Sequence, residues 1–264
     1  MKKNKIKNYK SLSIILIILF FIISLLTLYK RGAFSSNLFF KVNSRVDKIK
    51  EESKKTKREI FGWIKIQGTN IDYPVLYNYN NKDLASANYN YTWINNPSEK
   101  LHNNIVIFGH NIRNVSSQPI ITDKSHQRFE QLPSFLYYDF AKKNQYIQYT
   151  FNGKDYLYQI FSVAIVKEKY IDYAGEELNK KNFEEVVAGA KYDSYFDYDV
   201  KVTKEDKIIS LVTCTRFYGG LGYDYKIVGK LVDKKIGIPS KVTEKKNYNN
   251  IKKKLTENKN QTKL

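Results

Sequence analysis

The sequence predicts a mainly β protein, folded as a single β-barrel with helical insertions. About eight short segments are rich in β-branched and aromatic residues, and turn residues separate them. The clearest pair is "QYIQYTF" and "DYLYQIFSVAIV", which alternate around Asn152-Gly153, a strong hairpin signal. Helical spacing is found in few places. Many short strands with few helices are typical of a closed or partly closed β architecture.

A long apolar segment near the start predicts a transmembrane anchor. Ser11 to Tyr29 is 19 residues without a charge, and a basic flank with five lysines precedes it in residues 1–10. About 20 apolar residues cross the hydrocarbon core, and a basic flank stays cytoplasmic. A cleaved signal peptide is the alternative, but Lys30 and Arg31 stand where a cleavage site has small neutral residues. We therefore expect a single-pass protein of the cell membrane, with a cytoplasmic N-terminus and the rest of the chain extracellular.

The next part of the chain predicts a helical linker and the first strands. Residues 30–59 are polar and charged, with the loose spacing of an amphipathic helix. Residues 61–77 predict two strands around a Gln-Gly-Thr-Asn turn, and residues 78–103, rich in Asn, Tyr and Ser, predict a loop. "NIVIF", residues 104–108, predicts a short buried strand that ends at Gly109-His110.

The second half predicts further strands with two helices between them. Residues 129–140 have helical spacing, although Pro133 interrupts it, and residues 176–190 predict a surface helix. "KIISLVT" and "KIVGKLV" then predict two strands joined by the glycine-rich turn "RFYGGLGYDY". The folded domain is thereby expected over residues 60–233.

The formal charge of +19 suggests a nucleic-acid binder until the charges are located. Residues 1–10 and 234–264 together supply 13 of the 19 charges, and the middle of the chain is only mildly basic. Residues 234–264 are rich in Asn and Lys with little to bury, so we expect a basic, disordered tail there. We expect no nucleic-acid partner.

The single cysteine, Cys214, ends a run of β-formers, where its side chain can face a cleft. A lone buried thiol is often only a small apolar side chain. An unpaired thiol outside the membrane invites oxidation, however, which favours use over packing. A cysteine nucleophile needs a basic partner. His110 also follows a predicted strand, whereas His102 and His126 lie in polar loops that predict solvated side chains.

Two of these segments resemble the signature segments of the sortases, the cysteine transpeptidases that anchor proteins to the Gram-positive cell wall. These are "IFGHN" and, 104 residues after its histidine, "LVTC". Further resemblance to the class B branch lies in "GWIKIQGTNIDYPVLY", "FEQLPSFLYYDF" and "YLYQIFSVAIV". The resemblance implies a closed eight-stranded sortase-type β-barrel with an N-terminal helix and a helical insertion, preceded by a transmembrane helix.

The resemblance also implies the chemistry and its residues. Cys214 would attack the Thr carbonyl of a C-terminal sorting signal in surface proteins and hold the substrate as a thioester. An amine of a peptidoglycan precursor or a pilin lysine would resolve it, with His110 as the acid and base. Tyr170 and Ile171 would contact the sorting signal. No cofactor and no metal is implied.

One departure from the family concerns a cation. Sortases carry an arginine eight to ten residues after the cysteine, where this chain has Gly222, Tyr223 and Asp224. Either Arg216 takes its role, which keeps the guanidinium chemistry, or Lys226 does, which keeps the strand position. A catalytically weak or inactive membrane-tethered wall-binding protein is the alternative function. A papain-type protease is disfavoured because the histidine precedes the cysteine.

Overall fold

The protein is a closed β-barrel with peripheral helices in the computed structural model, which describes residues 17–20, 39–77, 91–96, 98–116, 119, 125–168 and 175–256. Residues Phe40–Leu264 form one compact unit, separate from Met1–Phe39. This unit is larger than the expected domain of residues 60–233, because segments on both sides of it also pack on the barrel.

Eight strands close the barrel, confirming the predicted architecture. The strands are β2 (Gly62–Ile66), β3 (Asp72–Tyr77), β4 (Thr92–Ile94), β5 (Asn104–Phe108), β6 (Tyr146–Phe151), β7 (Lys154–Lys167), β9 (Ile208–Thr215) and β10 (Tyr223–Val232). Their order around the barrel is β10-β7-β6-β2-β3-β4-β5-β9. Two pairs are parallel, β3 with β4 and β5 with β9, and the others are antiparallel.

The remaining elements surround the barrel. In chain order they are β1 (Phe40–Lys41), α1 (Val46–Thr56), a 3₁₀ turn (Leu132–Leu136), α2 (Tyr138–Lys143), α3 (Lys180–Asp193), β8 (Phe196–Tyr198), β11 (Ile236–Gly237), β12 (Val242–Glu244) and α4 (Tyr248–Thr256). Two short two-stranded sheets are among them, β1 with β11 and β12 with β8. The expected helix at residues 129–140 is thus divided into a 3₁₀ turn, with Pro133 in its first turn, and the short helix α2.

Alternation along the strands fills the barrel interior. Ile64, Ile107, Leu211 and Ile227 come from four different strands, and all four side chains are at most 1% exposed in the main core. Residues next to them in sequence point outward, as the two-residue period of a strand requires. The outer faces of β5, β9 and β10 therefore carry Phe108, Val212 and their neighbours two residues away.

The expected loop over residues 78–103 contains a strand that the sequence did not indicate. Thr92–Ile94 pairs with β3 on one side and with β5 on the other, so it completes the barrel between them. The Thr92 hydroxyl donates to the Pro74 carbonyl at 2.9 Å. Three residues are too short for a periodicity to be read, and the surrounding asparagines favoured a loop.

The expectation of a disordered tail over residues 234–264 is wrong for residues 236–256. Helix α4 buries Tyr248, Ile251 and Leu255, and its Tyr248 hydroxyl donates to the Leu136 carbonyl at 2.8 Å. Lys252 and Lys253 are exposed on another side of this amphipathic helix, whereas the Lys254 ammonium contacts the Phe217 carbonyl and ring. Residues 257–264 lie outside the described residues.

The predicted anchor, Ser11 to Tyr29, falls almost entirely outside the described residues. Its residues 17–20 are helical. Within the described part of the chain, we find no helix with the length and apolar character that a membrane crossing requires.

The expected helical linker, residues 30–59, contains α1, which is anchored to the barrel. The Arg45 guanidinium contacts both carboxylate oxygens of Asp72 on β3, at 2.9 and 3.0 Å. The Trp63 indole donates to the same carboxylate at 2.6 Å. Residues 30–38 of the linker lie outside the described residues.

Candidate active site

The Cys–His pair is assembled by two neighbouring parallel strands. Strand β5 pairs with β9 in register up to Phe108, which lies beside Val212. His110 and Cys214 each follow that last pair by two residues. The two side chains that the sequence singled out therefore occupy equivalent positions on adjacent strand ends.

Backbone contacts continue the pairing up to the histidine. The Gly109 N–H donates to the Val212 carbonyl at 3.2 Å, and the Thr213 hydroxyl donates to the Gly109 carbonyl at 2.6 Å. The His110 carbonyl accepts from the Phe129 N–H at 3.1 Å. A Cβ atom at Gly109 would lie 2.7 Å from the Phe129 ring, so only glycine fits beside that ring.

Asn111 ties the histidine segment directly to the cysteine. Its side-chain amide donates to the Cys214 carbonyl and to the Asn114 carbonyl, both at 3.0 Å, and the residue is 1% exposed. Its backbone N–H lies close enough to the thiol to lower the pKa of Cys214, which favours the thiolate. Sequence reasoning missed Asn111, although it is the last residue of the "IFGHN" segment.

Cys214 and Arg216 both face the outside of the barrel. Exposure alternates at the end of β9, with Cys214 exposed, Thr215 buried and Arg216 exposed. The Arg216 N–H donates to the Val115 carbonyl at 2.6 Å, which joins this strand end to the loop after His110. The positive charge of Arg216 lies close enough to lower the pKa of the thiol.

Two residues of β10, the candidate Lys226 and Asp224, lie at different positions relative to the cysteine. Lys226 pairs with Val212, one strand repeat away from the cysteine, and its charge acts on Asp193 at the end of α3. Asp224 pairs directly with Cys214 and is 8% exposed. The position closest to the cysteine on β10 is thus occupied by a carboxylate rather than by a cation.

The environment of the thiol opposes its ionisation. Although Cys214 is exposed, partial desolvation of the sulfur by its neighbours raises the pKa of the thiol, and the Asp224 carboxylate raises it further. The Asn111 N–H and Arg216 act in the opposite direction, but the pKa stays above its usual value. The free chain therefore holds little thiolate at neutral pH unless a nearby imidazolium or a bound substrate supplies more stabilisation.

An aromatic side chain from β4 packs against the histidine. The Trp93 and His110 ring centroids lie 5.1 Å apart with the planes tilted by 56°. Trp93 also stacks on Phe108 at 6.1 Å. Trp93 was not among the predicted site residues because it lies in the segment expected to be a loop.

A buried carboxylate supports the loop that follows His110. Glu130 is fully buried and accepts from the Arg113 N–H and from the Arg113 guanidinium, both at 3.1 Å. The Gln127 N–H donates to it at 2.9 Å, and Arg128 lies 3.6 Å away. This network holds the loop from both of its ends.

Four further residues were singled out from the sequence: Tyr170, Ile171, His102 and His126. Tyr170 and Ile171, expected to contact the sorting signal, lie outside the described residues. His102 lies 3.4 Å from the Gly175 carbonyl, at the far end of β5 from Cys214. His126 is 4% exposed, so the expectation of a solvated side chain is wrong.

These contacts place an exposed thiol and a histidine on adjacent strand ends at the outside of a closed barrel, with a guanidinium close to the thiol, which is the arrangement that a thiol enzyme of the Cys–His type requires. Comparison with known protein families gives a match to the sortase domain family over residues 64–231. The chain belongs to the sortase family, and as such it is a cysteine transpeptidase, most similar to class B.

Individual relatives support the class B assignment. Sortase B of Listeria monocytogenes is 28% identical over 196 residues, which cover 70% of this chain and 73% of that protein. Sortase B of Staphylococcus aureus is 25% identical over 193 residues, covering 69% and 74%. The solved structure of Clostridium perfringens sortase B has a TM-score of 0.59 at 25% identity, covering 70% of this chain and all of that one.

Proposed function

We propose that this sortase cleaves a C-terminal sorting signal of surface proteins through a thioester on Cys214. The single observation that carries this proposal is the placement of Cys214 and His110 on adjacent parallel strand ends, with the Asn111 N–H at the thiol. The sulfur attacks the carbonyl carbon of the scissile peptide bond. An exposed thiol on the outer face of the barrel can be reached by an extended peptide.

In this proposal His110 moves the protons and Arg216 stabilises the developing oxyanion. His110 protonates the leaving amine of the tail and then accepts a proton from the incoming amine. Arg216 is favoured over Lys226 because its charge already acts on the thiol, whereas the charge of Lys226 acts on Asp193. The acceptor is an amine of a peptidoglycan precursor or a pilin lysine.

The acyl-enzyme is the product that tests this proposal. The full-length chain in detergent is incubated with blocked peptides that each contain one Thr–Xaa bond, and the protein is analysed by mass spectrometry. We expect a thioester on Cys214 in the wild type and none in Cys214→Ala. His110→Ala should also lack it, whereas His102→Ala should keep it. A thioester that forms without His110 would contradict the proposed pair.

We also propose that Ser11 to Tyr29 anchors the catalytic domain outside the cell. The proposal rests on the uncharged 19-residue segment and its lysine-rich flank. Protease added to intact protoplasts should then remove the domain. Protection until the cells are lysed would reverse the orientation, and a mature N-terminus near residues 34–37 would replace the anchor by a cleaved signal peptide.

A further inference from the structure

A buried carboxylate lies beside the nucleophile, and the proposed mechanism does not use it. Asp224 and Cys214 are directly opposite on neighbouring antiparallel strands, so their side chains leave the same face of the sheet. Cβ atoms of such a pair are about 4.5–5.5 Å apart. Asp224 is 8% exposed, and within the described part of the chain no hydrogen bond or ion pair reaches its carboxylate.

The charge of this carboxylate persists at neutral pH. Burial and the nearby Glu168 raise the pKa of Asp224 to about 6, which leaves most of it ionised at pH 7.5. Glu168 follows β7 and its N–H donates to the Gly222 carbonyl at 3.0 Å, while Lys226 stands two residues along β10. An ionised carboxylate without a bonded partner in a largely buried place is costly unless a ligand compensates it.

Asp224 opposes the first half of the reaction. Its negative charge disfavours the thiolate of Cys214, and it would equally disfavour the oxyanion that forms when the thiolate attacks. The scissile peptide bond is neutral, so the negative charge of Asp224 does not stabilise its binding. The second half of the reaction, in which an amine attacks the thioester, differs because a primary amine arrives at neutral pH as an ammonium ion. Its nitrogen must come within about 3–3.5 Å of the thioester carbon, and so into the neighbourhood of Asp224.

We propose that Asp224 binds the ammonium group of the incoming amine and directs the thioester toward aminolysis rather than hydrolysis. This inference rests on the proposed thioester mechanism and assigns its acceptor site. The ligand is a primary ammonium group, from either an α-amine or a lysine side chain. Asp224 is then the residue that determines whether a cationic nucleophile or water resolves the acyl-enzyme.

In the aminolysis step, Asp224 and His110 each accept one proton. The ammonium gives one proton to the Asp224 carboxylate and a second to the neutral His110 imidazole as the nitrogen bonds to the carbonyl carbon. The carbon–sulfur bond breaks and its electron pair stays on Cys214. The products are the amide, the thiolate–imidazolium pair and a protonated Asp224, which returns its proton to water. The raised pKa of Asp224 makes it a better acceptor for that proton.

The test separates deacylation from peptide cleavage. The full-length chain in detergent is acylated on Cys214 by exchange with the benzyl thioester of N-acetyl-threonine, in which benzyl mercaptan is the leaving group. Deacylation is then followed at pH 7.5 with triglycine, with the amide of Nα-acetyl-lysine, and with hydroxylamine, which is uncharged at this pH. The measured quantity is the ratio of aminolysis to hydrolysis.

We expect Asp224→Asn to lower this ratio at least tenfold for the better of the two cationic amines and less than threefold for hydroxylamine. Glu168→Gln removes a neighbouring charge without facing the sulfur, so it serves as the control and should change the ratio less than threefold. Asp224→Ser, which is smaller and also uncharged, should reproduce the loss, so the outcome does not depend on one variant folding.

Three results would overturn the inference. One is an unchanged ratio in both uncharged variants. Another is an equal loss with hydroxylamine, which would indicate a structural effect rather than recognition of charge. The third is an equal loss in Glu168→Gln. If Cys214 is acylated by the thioester but peptides are never cleaved, the proposed function fails. The ratio of aminolysis to hydrolysis still decides the role of Asp224 in that case.

Discussion

Replacing Asn111 by alanine removes two side-chain hydrogen bonds: one to the Cys214 carbonyl, which joins the histidine loop to the cysteine strand, and one to the Asn114 carbonyl within that loop. Both bonds measure 3.0 Å and the residue is 1% exposed, so water cannot replace the amide without rearrangement. At about 1 kcal/mol for each bond, the loss amounts to about 2 kcal/mol of unfolding free energy. A domain of this size would melt about 4–8 °C lower.

The loss of activity should exceed what this destabilisation alone causes. The Asn111 N–H contacts the thiol, and a displaced strand end moves both His110 and this donor away from Cys214. We expect kcat/KM to fall between about tenfold and a hundredfold, as small misplacements of reacting groups commonly cost. The assay is acyl-enzyme formation at a temperature well below both melting points.

Asn103→Ala provides the matched control. Its side chain also makes two hydrogen bonds, both to Leu178 at 2.8 Å, but at the opposite end of β5. It should cost similar stability and change kcat/KM less than threefold. If the two variants lose activity equally, Asn111 does not hold the reacting groups in place and the reasoning fails.

Three further predictions concern the cation, the supporting loop and the glycine before the histidine. Arg216→Ala should lower kcat/KM at least tenfold and Lys226→Ala less than threefold, and a larger loss in the lysine variant would exchange their roles. Burial alone would raise the pKa of Glu130, but hydrogen bonds from Gln127 and Arg113 outweigh it and lower the pKa below 4.5. The ionised Glu130 therefore stabilises the folded state above about pH 4.5, and this stabilisation is lost as the pH falls through the folded-state pKa. Melting temperatures from pH 3 to 7 should show this loss in the wild type and a smaller one in Glu130→Gln. Gly109→Ala places a methyl group 2.7 Å from the Phe129 ring and should lower the free energy of unfolding, measured with denaturant, by about 1–3 kcal/mol. An unchanged unfolding midpoint would show that the ring moves freely.

Local patterns were enough to predict the strands that carry the site. The hairpin at Asn152-Gly153 and the buried run before Gly109 are complete signals within a few residues, because turn geometry and side-chain alternation are local properties. The structure confirms both. The same locality identified Cys214 and His110 as residues at strand ends.

Two segments were misjudged because their structure depends on distant partners. Strand β4 is three residues long and exists only between β3 and β5, whose residues are supplied elsewhere in the chain. Helix α4 buries three side chains in a core made by the barrel, although its composition is that of a solvated tail. Propensity and composition are weak when tertiary contacts supply most of the stabilisation.

Local patterns in the sequence identify a single thiol at the end of a strand, a histidine at the end of another, and the family segments that contain them. The parallel pairing of β5 and β9, which brings residues 104 positions apart together, is visible only in the folded chain. The fold also places Asp224 opposite the cysteine and offsets Lys226 by one strand repeat. Strand register determines these relations, and register depends on the closure of the whole barrel rather than on any short segment.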